Sequence, residues 1–117
     1  MTTLQNILAA NKISKSKSLD ISNLQLNELP KELSEFTWLT RLYFHHNNIC
    51  NLTPLANLTN LEIIGCSNNI IIDVSPLAKL VNLKTLFAQN NLITDTTPLV
   101  WLINLVGLFH ISTKVYY

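Results

Sequence analysis

Residues 39–60, 61–82 and 83–104 read LTRLYFHHNNICNLTPLANLTN, LEIIGCSNNIIIDVSPLAKLVN and LKTLFAQNNLITDTTPLVWLIN. Leu39, Leu61, Leu83 and Leu105 stand 22 residues apart, and the text between them nearly repeats. A fixed period of this length marks a solenoid of stacked supersecondary units, each burying apolar surface only against its neighbours.

Aligned on its first leucine, the second unit gives Leu39, Leu42, Phe44, Asn47, Ile49, Leu52, Leu55 and Leu58. The third gives Leu61, Ile64, Cys66, Asn69, Ile71, Val74, Leu77 and Leu80, and the fourth Leu83, Leu86, Ala88, Asn91, Ile93, Thr96, Leu99 and Leu102. Around Leu42 and Phe44 inward residues alternate with others, which predicts a short strand with one buried face. Stacking the units makes these strands a parallel sheet that advances about 4.8 Å per repeat.

Just past each strand the chain turns inward, and backbone donors and acceptors there lose contact with water. An amide side chain offers both a donor and an acceptor. Asn47, Asn69 and Asn91 therefore predict a buried structural ladder rather than a ligand site. The return limbs start Thr53-Pro54-Leu55, Ser75-Pro76-Leu77 and Thr97-Pro98-Leu99. Ser or Thr before Pro predicts a cap and then a first helical position that needs no N–H. Only about one turn fits, so short 3₁₀ or α turns are expected on the convex side.

The pattern LxxLxLxxNxIxxLxPLxxLxN resembles the leucine-rich repeat. Its 22-residue period and (S/T)PLAxL limb are similar to the subtype of bacterial internalins and phosphatase-regulatory leucine-rich repeat proteins. The unit LDISNLQLNELPKEL looks more like the 23-residue repeats of bacterial and Roco-type leucine-rich proteins. The resemblance covers roughly residues 16–115. It implies an α/β solenoid, a right-handed superhelix with a short parallel sheet on the concave side, and a concave face that binds another protein.

Upstream, Leu4, Ile7 and Leu8 share a helical face, and Thr2 or Thr3 is placed to cap a helix over about residues 3–11. It reads as a cap over the open end of the solenoid. The run KISKSKS at 12–18 reads as a solvated connector. In the divergent unit Leu24 takes the place of the asparagine. There Pro30 predicts the first turn of a true helix whose face carries Leu29, Leu33 and Phe36. The chain thus divides into cap and connector (1–15), divergent repeat (16–38), three regular repeats (39–60, 61–82, 83–104) and a partial repeat or C-terminal cap (105–117), all one domain. In the last piece His110 stands at an inward strand position and Thr113 replaces the asparagine, while Leu105, Leu108 and Val115 hold their places. Three outcomes follow for that end: the VYY tail folds back as a cap, two copies meet end to end as a homodimer, or the chain is a fragment of a longer array. The first is the expectation.

The composition is 48% hydrophobic and 13% charged, which favours a folded, apolar-cored chain over disorder. A net charge of +1 gives no reason to expect nucleic acid or an anionic membrane. No apolar run reaches spanning length and the N-terminus lacks a secretory pattern, so a cytoplasmic location with Cys50 and Cys66 as free thiols is expected. His45-His46 lacks nearby cysteines or carboxylates to complete a metal set. Asp73 and Asp95 occupy equivalent loop positions one repeat apart, but the matching residue in the second unit is Asn51, so they read as a solvated edge rather than a cation site. No nucleophile has a base at a predictable distance, and two glycines are too few for a phosphate loop. Neither enzyme activity nor a cofactor is expected.

The remaining strand positions face the concave side. One column is Asp20, Tyr43, Gly65, Phe87, Phe109, and the column before it Ser18, Arg41, Ile63, Thr85, Gly107. The columns after it are Ser22, His45, Ser67, Gln89, Ile111 and Asn23, His46, Asn68, Asn90, Ser112. Tyr43, Phe87 and Phe109 flank an expected notch at Gly65 with Ile63 beside it, as anchors around a dent do in protein hot spots. Arg41, His45 and Gln89 would set orientation. Trp38, Trp101, Ile70, Ile72 and Leu92 are apolar without an inward slot and suggest a second contact surface or self-association. The expected function is a non-catalytic protein-binding module. The alternative is a bacterial effector-like regulator that binds and inhibits an enzyme.

Overall fold

The computed structural model describes residues 1–109, the last of them by its backbone. The readings placed on His110, Ile111, Ser112, Thr113, Val115 and the VYY tail lie outside the described residues.

The chain opens with a helix, α1, over Thr3–Ser14. Its start is a reciprocal capping box: the Gln5 N–H donates to Thr2 Oγ1 at 3.1 Å, and the Thr2 N–H donates to Gln5 Oε1 at 2.9 Å. It ends where Lys15 turns left-handed, at φ 54°. The helix therefore runs three residues past the expected Asn11, so the first part of KISKSKS is helical rather than connector. Leu8 is buried in the core, and Leu4 and Ile7 pack against it.

Five strands follow: β1 Ser18–Asp20, β2 Arg41–Tyr43, β3 Ile63–Gly65, β4 Thr85–Phe87 and β5 Gly107–Phe109. They form one parallel sheet in chain order. Each connection returns on the outer side through a 3₁₀ turn: Lys31–Glu35, Thr53–Leu55, Ser75–Leu77 and Thr97–Leu99. The leucines set this geometry. In the second unit the N–H groups of Leu55, Leu58 and Leu61 donate to the carbonyls of Leu52, Leu55 and Leu58, at 2.9, 3.0 and 3.0 Å. An i→i+3 bond stacks residues three apart on one side, so every third residue falls into the core.

Two expectations about these limbs are corrected. The divergent unit carries a five-residue 3₁₀ helix, not an α-helix, and Pro30 stands outside it with φ −61° and ψ 134°. The reason is the same three-residue stagger, since the Leu33, Phe36 and Leu39 N–H groups bond the carbonyls of Pro30, Leu33 and Phe36. The second correction concerns Thr53, Ser75 and Thr97, which do not cap their turns but begin them. The capping oxygen lies two residues earlier. The Thr53 N–H donates to Asn51 Oδ1 at 2.9 Å, that of Ser75 to Asp73 Oδ1 at 2.8 Å, and that of Thr97 to Asp95 Oδ1 at 2.9 Å. The three hydroxyls donate to the same side chains. Asn and Asp are interchangeable here because the turn uses only a side-chain oxygen. Asp95 is correspondingly held below the usual carboxylate range by its hydrogen bonds from Thr97.

Between sheet and turns lies one continuous core, with Leu42, Phe44, Ile64, Leu77 and Leu83 fully enclosed. Cys66 belongs to it. Burial pushes its thiol up to about 12, so it stays neutral and packs as a small apolar group. Cys50 is exposed, and both cysteines are free.

Candidate interaction face

The strand register sets the concave columns. Ser18, Arg41, Ile63, Thr85 and Gly107 stand opposite one another, as do Asp20, Tyr43, Gly65, Phe87 and Phe109. Arg41, Tyr43, Ile63, Gly65, Phe87 and Phe109 of the candidate set are thus brought onto one face. For Phe109 only the backbone position is described.

Gly65 is not the open notch that its missing side chain predicts. It is buried, and a β-carbon placed there would lie 2.6 Å from His45 Cε1 and 2.7 Å from Tyr43 Cδ1. The two rings lean over it, 6.0 Å apart between centroids and inclined by 30°. Glycine is needed at this position so that its neighbours can lie down. The opening has moved sideways, to a depression of about 450 Å³ lined by Tyr43, His45, His46, Ser67, Asn68, Phe87 and Gln89.

His45 is held there by the backbone. Its Nδ1 accepts the Ser67 N–H at 3.0 Å, which places its proton on Nε2. The His45 N–H in turn donates to Ser22 Oγ at 2.9 Å, and the Ser22 N–H to Asp20 Oδ1 at 2.9 Å. Just past β1, β2 and β3, then, a side chain serves a backbone donor that the sheet leaves open. Desolvation lowers the His45 pKa; the Asp20 charge opposes this and His46 adds to it. Ser67 Oγ donates to Gln89 Oε1 at 2.7 Å and continues the rim.

The neighbouring column Asn23, His46, Asn68, Asn90 has backbone work to do. These residues have φ of 57°, 55°, 60° and 58°, in the left-handed region where asparagine is enriched. Behind them Asn47, Asn69 and Asn91 are only 7%, 6% and 8% exposed. Asn69 Oδ1 accepts the Ile49 N–H at 3.0 Å, and its amide donates to the Phe44, Cys66 and Ser67 carbonyls at 3.0, 3.1 and 3.3 Å. Asn91 repeats this on Ile71, Cys66, Ala88 and Gln89. Asn47 reaches down into the divergent unit and accepts from both Leu24 and Leu26, bridging its extra residue.

Trp38 is half-buried and anchored by its neighbours rather than free-standing on the outer side. It stacks on Phe36 at 4.9 Å, lies under Lys15 at 3.8 Å, and donates through Nε1 to Asn11 Oδ1 at 2.7 Å. Asn11 is buried and donates to the Ser16 and Ser18 carbonyls, so Trp38 ties α1 to β1. Trp101 is 82% exposed, and Ile70, Ile72 and Leu92 are exposed too. Among the described residues no group of three metal-ligating side chains comes together, and no helix is long and apolar enough to cross a membrane.

A sheet of in-register parallel strands, a buried asparagine after each regular strand and 3₁₀ turns behind define a leucine-rich repeat solenoid, and the chain is a leucine-rich repeat protein. The family described as leucine rich repeats (2 copies) matches residues 59–101. The chain is similar to the crystal structure of internalin C2 from Listeria monocytogenes, with 34% identity and a TM-score of 0.79 over 95% of this chain and 51% of that one. It therefore spans about half the length of that relative. An internalin F structure from the same species matches at 24% identity and a TM-score of 0.49, over 78% of this chain and 33% of that one. No curated protein matches the sequence.

Proposed function

We propose that this chain is a non-catalytic module that binds a protein through its concave sheet. The observation that carries the reading is the column Tyr43–Gly65–Phe87. Two aromatic side chains, each half-buried, stand on the open face one repeat either side of a glycine, beside a depression rimmed by imidazole and amide groups. Aromatic anchors within a polar rim are the composition of protein-binding hot spots. Ile63 extends the apolar centre, Arg41 and Gln89 set orientation, and Phe109 adds a third aromatic by register. The leucine-rich repeat fold and the similarity to an internalin support an interaction role.

The test is capture from a native bacterial lysate with the wild-type chain beside Tyr43→Ala/Phe87→Ala, read by mass spectrometry. Proteins retained by the wild type and lost from the double variant, with circular dichroism unchanged, are the expected result. Identical retained sets would defeat the reading.

A further inference from the structure

We propose that the edge of the sheet where the strands begin is a second docking site, a groove that takes an extended acidic peptide segment. It lies beside the aromatic column but uses none of its residues.

The groove has a volume of about 500 Å³ and is lined by Lys17, Trp38, Thr40, Glu62 and Lys84 with Asn60, Asn82 and Asn104. Its floor is a rigid row. The Lys17 carbonyl accepts the N–H groups of Thr40 and Arg41, that of Thr40 those of Glu62 and Ile63, and that of Glu62 those of Lys84 and Thr85. Side chains therefore rise from it at one-repeat intervals, about 4.8 Å each, which puts Lys17 and Lys84 about 14 Å apart.

Charge is unevenly distributed here. Lys84 Nζ pairs with Glu62 Oε1 at 2.9 Å. Lys17 and Arg41 have no ion pair among the described residues. The two lysines of the lining stand against its one carboxylate, an excess of one positive charge, and Arg41 adds a third cation beside the groove on the concave face. Glu62 senses all three: its hydrogen bond from Lys84, then the charges of Lys84, Arg41 and Lys17, hold it below the usual carboxylate range. Neutral donors stand along the same groove, Asn60 and Asn82 within the interval and Asn104 beyond Lys84. Asn60, Asn82 and Asn104 each give one amide hydrogen to a backbone carbonyl, of Thr37, Thr59 and Val81. The second hydrogen on each has no partner among the described residues.

This set fits one kind of occupant. Residues four apart in an extended peptide are separated by about 13 Å, the span from Lys17 to Lys84. Carboxylates at those two positions meet the two ammonium groups, and the Asn60 and Asn82 amides between them meet peptide carbonyls. A compact anion engages one end only.

The test is fluorescence anisotropy on the whole chain with a short extended peptide carrying two glutamates four positions apart and a neutral dye, beside its glutamine counterpart. At about 20 mM salt the glutamate peptide is expected to bind about tenfold tighter, and the advantage should shrink at about 150 mM. Lys17→Glu/Lys84→Glu should abolish it, as should the milder Lys17→Gln/Lys84→Gln should the first variant fold poorly. Tyr43→Ala/Phe87→Ala should leave it intact, which separates this site from the aromatic one. Equal binding of the two peptides, or an advantage that survives in a folded lysine variant, would overturn the proposal. So would tighter binding of a single-stranded RNA of similar length.

Discussion

Two rows of asparagine climb this molecule at the same 22-residue interval, Asn47–Asn69–Asn91 inside and Asn60–Asn82–Asn104 outside. Every member donates from its amide to a backbone carbonyl of the preceding unit. The inner row is buried and uses both ends of the amide; the outer row is exposed and makes one bond per residue. Equal regularity in sequence thus covers two unequal physical roles. A buried donor or acceptor that loses its partner keeps its desolvation cost, whereas an exposed one turns to water.

The largest effect should come from breaking the inner row. Asn69→Ala strands the Ile49 N–H, takes one of two amide donors from the Phe44 carbonyl, and should cost about 1–3 kcal/mol in urea unfolding. Asn69→Asp sharpens the test, because it keeps the oxygen for Ile49 but replaces the donating amide with a second acceptor facing three carbonyls. It should be at least as damaging as alanine. Wild-type stability in both variants would remove the ladder from the account of the fold.

Next comes the position where the outer row is made to behave like the inner one. Trp38 occupies the place of Asn60, 22 residues earlier, and α1 covers it. Its N–H···Oδ1 bond to Asn11 is therefore partly shielded. Trp38→Phe keeps a ring against Phe36 but leaves the buried Asn11 oxygen unpaired, and should cost about 1 kcal/mol. Hydrogen exchange should then show α1 opening ahead of the repeats. If α1 and the repeats open together, Trp38 is not the clasp.

The fold was legible because leucine spacing and stacking are the same information. Leu42, Ile64 and Leu86 recur every 22 residues because each fills the same slot, and their register follows. What escaped depends on contacts between different columns. Gly65 reads as a gap until the neighbouring rings are seen to occupy it. Thr53-Pro54 reads as a cap because the Asn51 oxygen that serves it lies two residues upstream. Trp38 reads as a surface residue, since nothing local says that Asn11, 27 positions earlier, folds back onto it. The outer asparagines were in the pattern, but periodicity alone gave them no role. The candidate face was legible as columns, and its shape was not.

His45 gives a smaller, pH-dependent effect from the boundary between buried and exposed. Its folded pKa lies below the ordinary 6.5, so the folded chain binds a proton there less readily than the unfolded chain does. Its stabilising contribution is complete above about pH 6.5 and is lost as pH falls through that value toward the folded pKa. Protonation also removes the lone pair that holds the Ser67 N–H. Glu62 and Asp95 too lose stability as pH falls, but only below their ordinary values of 4.5 and 3.8. Melting temperature should therefore drop between about pH 7 and pH 5, and His45→Gln should flatten most of that drop. An unchanged slope in the variant would assign the titration elsewhere.

The smallest effect should be at Asn82. Its bond to the Thr59 carbonyl is 2.8 Å, shorter than any that Asn69 makes, so bond length alone would rank it first. Burial ranks it last. Asn82 is exposed, and in Asn82→Ala water can reach the freed carbonyl at once. The loss should stay under about 0.5 kcal/mol, within the range of ordinary surface substitutions. A loss as large as that of Asn69→Ala would mean that the outer row supports the stack cooperatively, and that accessibility is the wrong measure of what these asparagines contribute.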